Sequence, residues 1–369
     1  MGDEISTTAD AVARAVSTRW ELAAAEIQKA LGQKLAVAFV GSASSGKDSA
    51  IRALFGLDFG QIDPIPGSTE HVRVAPVDPE GNVLVVNAPG FGDIRKEVDA
   101  RAREILEQID LVVYLLNCDG GATIDERRDL DSIRALGRPT LVCLNKIDLI
   151  RPHQREMFVE ATLRQLGTDP KDAVVTAFDP IPALFEEPVG VDDVITWIHA
   201  HLEANGKALL FAKSLRNKAA ACEAIIASAA KRAAVAGAIP LPGADITALT
   251  AVQVKLISDI ATVFGRKLEK DIVMFILAEV LAGTSKGFVR WALEAAKTAG
   301  WIPGGQVVTV ATSALGASIA AGTTYGVGKA AVAFMTRGGK MSGPQLREVF
   351  DAEAQRFQRV SPVWEHEDR

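Results

Sequence analysis

LAVAFVGSASSGKDS, residues 35–49, sets the reading of the whole chain. An apolar run, Leu35 to Val40, breaks at Gly41 into Gly41-Ser-Ala-Ser44-Ser45-Gly46-Lys47, and a helix-like AIRALFG follows Asp48 and Ser49. Strand, glycine-rich turn and helix opening at Lys47 make a phosphate-binding loop. Its backbone N–H groups curl round phosphates, and the helix N-terminus adds a favourable dipole. Gly41, Ser44, Ser45, Gly46, Lys47, Asp48 and Ser49 are therefore nucleotide-binding candidates, with Lys47 reaching the β- and γ-phosphates as a point charge. A loop that merely turns the chain would need neither the strand before it nor the helix after it.

Outward from this stretch, residues 34–206 alternate strand and helix. Apolar runs at 35–40, 72–77, 83–86, 111–116, 140–144 and 173–176 read as strands; 47–55, 94–108, 124–136, 154–166 and 191–204 read as helices. Continuous Val/Leu runs suit a sheet buried on both faces. The alternation predicts an α/β fold with a doubly wound, mostly parallel sheet, which places ligands at the carboxyl ends of strands.

Further motifs follow in order. Asn145-Lys146-Ile147-Asp148 comes after the apolar TLVCL. The Asp148 carboxylate can accept two hydrogen bonds from guanine N1 and N2, an arrangement adenine does not offer. Lys146 can lay its stem on the base, and Asn145 can tie this loop to the phosphate loop. Thr176-Ala177 falls where a backbone N–H could meet guanine O6. Thr69, in PIPGSTEH, can close on a metal and the γ-phosphate, and Asn87-Ala-Pro-Gly90 would bring the Gly90 N–H to that phosphate.

This set, GSASSGK, Thr69, NAPG, NKID and TA over residues 35–177, resembles the Era/TrmE-like GTPases of the P-loop superfamily. Phe91 resembles the hydrophobic residue that group carries where Ras-like proteins place a water-orienting glutamine; FGD at 91–93 is similar to the turn of dynamin-like and septin-like relatives. The resemblance implies GTP and GDP as ligands, Mg²⁺ as cofactor, and Lys47, Thr69 and Gly90 in catalysis. Two positions depart from it. The family has Ser or Thr after the loop lysine, where this chain has Asp48, and Asp at the start of the third motif, where this chain has Asn87. One reading is a compensated swap that keeps Asp48, Thr69 and Asn87 around the metal. The other is a decayed site in which Asp48 repels phosphate.

A helix precedes the nucleotide region, with Val12, Val16, Trp20, Ala23, Ile27 and Leu31 on one face. Beyond Gly206 the patterns are helical: 207–235, 246–264, 267–282, 286–299 and about 306–335, with breakers at Ile239-Pro240 and Ile302-Pro303 and loosely similar hairpins after each. Residues 304–328 carry no charge, but Ala, Gly, Ser and Thr dominate, which favours a buried helix over insertion in a bilayer. IPLPGAD, Gln253, Phe264-Gly265 and TTYGVGKAAVAF resemble the uncharacterised helical domain of YcjF-type inner-membrane proteins; the overall layout is similar to that of immunity-related GTPases. Four segments result: an N-terminal amphipathic helix (1–32), a GTPase domain (33–206), a helical domain (207–343), and a C-terminal helix and tail (344–369).

The net charge of −6 argues against a nucleic-acid partner. Three scattered cysteines make no zinc pattern or disulfide framework, and the acidic start reads as no secretory signal, so a reducing cytosol is expected; the resemblance implies a bacterial one, and the apolar N-terminal face with the charge-free 304–328 adds an expected peripheral contact at the inner membrane. The function expected is a guanine-nucleotide switch with slow GTP hydrolysis. No residue orients the attacking water, which leaves an activating partner or a second GTPase domain to complete the site. A non-hydrolysing, nucleotide-sensing scaffold and a membrane-inserting effector are the competing classes.

Overall fold

The computed structural model describes residues 19–59, 72–88, 108–238, 244–267, 269–283 and 307–360. Thr69, Gly90, Phe91, the helices expected at 94–108 and 286–299 (but for residue 108), Val12, Val16 and both Ile-Pro breakers lie outside them. The chain divides into two compact units, residues 30–220 and residues 1–29 with 221–369.

The first unit is built on a six-stranded sheet in the order β2-β3-β1-β4-β5-β6. Its strands are β1 (Leu35–Val40), β2 (Arg73–Pro76), β3 (Val83–Ala88), β4 (Leu111–Asn117), β5 (Thr140–Asn145) and β6 (Ala173–Val175). Every pairing is parallel except β2 with β3. The helices are α2 (Lys47–Phe55), α3 (Ile124–Arg134), α4 (Arg155–Leu166), α5 (Val191–Glu203) and α6 (Ala208–Ser214), with α1 over residues 19–31 before them.

Alternation along the strands explains why both sheet faces read as apolar. Ala38, Val40, Val112, Tyr114 and Leu116 face one way and pack with Leu130 and Ile133 of α3 and Leu163 and Leu166 of α4. Phe39 faces the other way and meets Phe55 of α2 edge-on at 6.1 Å, and Phe55 meets Phe211 of α6 in the same manner at 6.1 Å.

The single helix expected over 207–235 is two, α6 and α7 (Lys218–Gly237). Leu215 is extended, the Arg216 N–H donates to the Leu54 carbonyl at 2.8 Å, and Asn217 Oδ1 caps α7 by accepting from the Ala219 and Ala220 N–H groups. An asparagine that satisfies two orphan N–H groups favours a fresh helix start over continuation. As a result α6 packs with the sheet, beyond the boundary expected at 206.

Asp110 ties the start of β1 to the residue before α6. Its Oδ2 accepts from the Ala36 N–H at 3.0 Å, and Lys207 Nζ donates to its Oδ1 at 2.5 Å. The side chains are 16% and 21% exposed, so removing one partner strands the other away from water. Asp110→Ala is expected to lower the unfolding free energy of this unit by about 2–4 kcal/mol, read as a fall in the urea midpoint.

The second unit is helical: α7 onward, α8 (Ala244–Val263), α9 (Lys270–Gly283), α10 (Val307–Thr336) and α11 (Gly343–Val360), with α1 up to residue 29. On α1, Ala23 and Ile27 are buried, and Glu26 faces Lys255 of α8 at 3.8 Å. Small residues let the helices approach. A Cβ on Gly237 would strike Ala320 and the Gly316 carbonyl, and one on Gly328 would strike Ile226. Ser342 and Gln345 start α11, with the Ser342 N–H donating to Gln345 Oε1 at 3.0 Å. Leu346 and Phe350 are buried, and Phe357 stacks on Tyr325 at 4.8 Å. In α10, Ser318, Ala320, Ala321, Thr323, Thr324 and Val327 are buried, as a packed helix requires. No helix among the described residues is long and apolar enough to cross a membrane.

Candidate functional site

The site forms where β1, β5 and β6 end. Gly46 caps α2 with φ +95°, a conformation open to glycine, and a Cβ there would strike Asn145 Nδ2. Asn145 is buried and does three things. Its Nδ2 donates to the Ser45 carbonyl at 2.8 Å; its Oδ1 accepts from Thr176 Oγ1 at 3.3 Å and from the Phe178 N–H at 3.2 Å. Three loops from three strand ends are thereby fixed to one amide.

A cleft of about 370 Å³ opens beside this junction. The side where phosphate is expected is lined by Ser44, Gly46, Lys47, Asp48 and Ser49. Lys47 Nζ lies back over its own loop, donating to the Gly41 and Ser42 carbonyls at 2.8 and 2.9 Å. Burial holds its pKa below the usual lysine value; Asp48 opposes this and Arg73 adds to it. The side where the base is expected is lined by Asn145, Lys146, Asp148, Ala177, Phe178 and Asp179. Lys146 takes a left-handed φ of 64°, which turns the chain so that Asp148 faces the cleft. The buried Asp148 carboxylate is aimed by the Ile181 N–H, which donates to Oδ2 at 3.1 Å. Cys118 lies near, its thiol pushed up to about 12 by burial and by the Asp148 charge.

The probable GTP-binding protein EngB of Gemmatimonas aurantiaca is 30% identical over 148 residues, covering 37% of this chain and 72% of that protein. This chain belongs to the P-loop GTPases. A family described as "50S ribosome-binding GTPase" matches residues 36–146, and one described as "Domain of unknown function (DUF697)" matches residues 204–359. GTPase Era of Halothermothrix orenii is 27% identical, covering 45% of this GTPase and 55% of Era. The tRNA modification GTPase MnmE of Paraburkholderia xenovorans is 27% identical, covering 50% of this GTPase and 46% of MnmE. The chain thus spans about half the length of these two relatives. A solved structure of a probable GTP-binding protein engB aligns at 18% identity with TM-score 0.34, covering 46% of this chain and 99% of that one.

The structure brings most of the sequence candidates to one cleft, with three differences. The Ser45 side chain is buried, its hydroxyl without a hydrogen-bond partner, and its carbonyl accepts from Asn145. Thr176 is fully buried and supports Asn145 from behind. The N–H groups expected at guanine O6 are committed elsewhere: that of Thr176 to the Leu144 carbonyl, that of Ala177 to the Val189 carbonyl at 3.1 Å. Gly190, at φ +77°, packs against the Val175 carbonyl and carries residue 189 into that bridge.

Asp48 and Asn87 do meet, Asn87 Nδ2 donating to Asp48 Oδ1 at 2.5 Å. Sequence reasoning missed the third member, Arg73, whose Nη2 lies 3.7 Å from the same oxygen. Arg73 and Asn87 are register partners across the antiparallel β2–β3 pair, so both side chains share a face. No motif marks residue 73; only strand register finds it. This trio does not fit the Mg²⁺ that the family resemblance implies. Magnesium demands oxygen ligands in near-octahedral array. Here Asp48 Oδ1 accepts from the Asn87 amide and lies 3.7 Å from the Arg73 guanidinium, so a divalent ion bound at Asp48 would have an N–H donor and a second cation as neighbours. The metal-ligand roles expected for Asp48 and Asn87 stay expectations, and Thr69, the third member of that set, lies outside the described residues.

Proposed function

We propose that this GTPase is a guanine-nucleotide switch that binds GTP and GDP and turns GTP over slowly. The reading is carried by Asp148, a buried carboxylate aimed into the base side of the cleft by the Ile181 N–H. Such a group prefers a ring with two adjacent donors, as guanine has. Turnover in this fold needs charge stabilisation at the γ-phosphoryl rather than a protein nucleophile. Lys47 and the loop N–H groups supply that charge. No described side chain in the cleft is placed to orient a water, so turnover is slow unless an activating partner or a second GTPase domain completes the site. Competition of unlabelled GTP, GDP and ATP against a fluorescent GDP, with phosphate release followed in parallel, tests both halves.

A second reading, a nucleotide-sensing scaffold without turnover, is favoured by one observation. Asp48 stands beside the phosphate lysine already hydrogen-bonded to Asn87 and ion-paired with Arg73 at 3.7 Å. Guanine-nucleotide binding without phosphate release selects this reading. For membrane contact the proposal is a peripheral one, because much of the charge-free stretch from 318 onward is packed inside the helical unit. Carbonate washing is expected to release whatever protein sediments with membranes; extraction by detergent alone overturns it.

A further inference from the structure

We infer that Arg73 serves as the fixed cation of the phosphate site in place of a divalent metal, so that guanine nucleotides bind with equal strength with and without Mg²⁺. The inference rests on the guanine-nucleotide reading above and concerns how the same site neutralises phosphate.

Three observations carry it. Arg73 is anchored rather than free: its Nη1 donates to the Phe59 carbonyl at 3.1 Å, and its guanidinium lies over the Phe59 ring at 5.4 Å. A guanidinium fixed on one side by a carbonyl and an aromatic face loses little freedom on meeting an anion. Next, its Nη2 faces Asp48, the residue directly after the phosphate lysine and a wall of the cleft. Finally, Asn87 donates to the same carboxylate oxygen from the adjoining strand.

Charge decides between the alternatives. A carboxylate at position 48 without a partner would repel phosphate across a few ångströms. With Arg73 at 3.7 Å the two offset one another, and the Lys47 charge on the loop is left without a counter-ion of its own among the described residues. On arrival of a polyphosphate the guanidinium, with five N–H donors, can stay on Asp48 and still present N–H groups towards phosphate oxygen. A divalent ion taken up on the other carboxylate oxygen would stand beside the guanidinium and the Asn87 amide N–H, both positive towards it.

The test titrates the full-length protein with fluorescent GDP and GTP, once with millimolar Mg²⁺ and once with EDTA. The two dissociation constants are expected to agree within about threefold, a difference below 1 kcal/mol. Arg73→Gln is expected to weaken binding about tenfold or more in EDTA, and Mg²⁺ should then restore part of the loss, because Asp48 is freed of its cation. Arg73→Lys should keep most of the metal-free affinity. Circular dichroism and melting of both variants exclude misfolding, and the EDTA comparison on the unaltered protein needs no variant at all. Tight binding in Mg²⁺ that is lost in EDTA overturns this inference alone. Absence of guanine-nucleotide binding under both conditions overturns it together with the reading it rests on.

Discussion

Asp148→Asn is expected to convert a guanine pocket into a xanthine pocket. The asparagine carbonyl can keep the Ile181 N–H that now donates to Asp148 Oδ2, so the side chain should hold its place and the fold should be unaffected. What changes is the face towards the base, where an NH₂ replaces an acceptor. Guanine then presents donor against donor, whereas xanthine presents a carbonyl. Loss of a charge-assisted bidentate contact costs about 1.5–3 kcal/mol, so GDP affinity should fall roughly 10- to 150-fold while XDP gains. Competition of GDP, XDP and ATP against one labelled nucleotide reads the change directly. Equal affinity of the unaltered protein for ATP and GTP would sink the assignment of Asp148.

The parts of this molecule that are legible in the sequence are those governed by local pattern. β1 and the turn at Gly46 follow from an apolar run and from a backbone conformation that only glycine adopts at ease. Asp148 is legible because its motif follows a buried strand at a fixed offset. The parts that are not legible depend on partners distant in sequence. Arg73 stands opposite Asn87 only because β2 runs antiparallel to β3, and no residue near 73 announces that register. The Ala177 N–H is lost to the base because residue 189, twelve positions on, bridges back to it. The break between α6 and α7 depends on the Leu54 carbonyl receiving the Arg216 N–H, a contact invisible in an alanine-rich helical pattern.

The same distant partners shape the second large expected effect, the coupling of residues 48 and 87. Asn87→Asp alone would set two carboxylates at the 2.5 Å separation now spanned by a hydrogen bond. Such a pair must share a proton or take up a cation, so nucleotide binding should weaken and become dependent on pH or Mg²⁺. Asp48→Ser alone leaves the buried Asn87 amide without its acceptor and Arg73 without its carboxylate. In the double variant the carboxylate moves to position 87, directly across the strands from Arg73, and the hydroxyl introduced at position 48 can donate to it. Arg73 therefore keeps a counter-charge in the parent and in the double variant, while each single change either removes that charge or doubles it. A double-mutant cycle on GDP affinity should show non-additivity of about 1–3 kcal/mol, with the double variant nearer the parent than either single one. Strict additivity would mean that the two substitutions act independently, that the contact between Asp48 and Asn87 has no bearing on the ligand, and that the site's departures from its family are unrelated to one another.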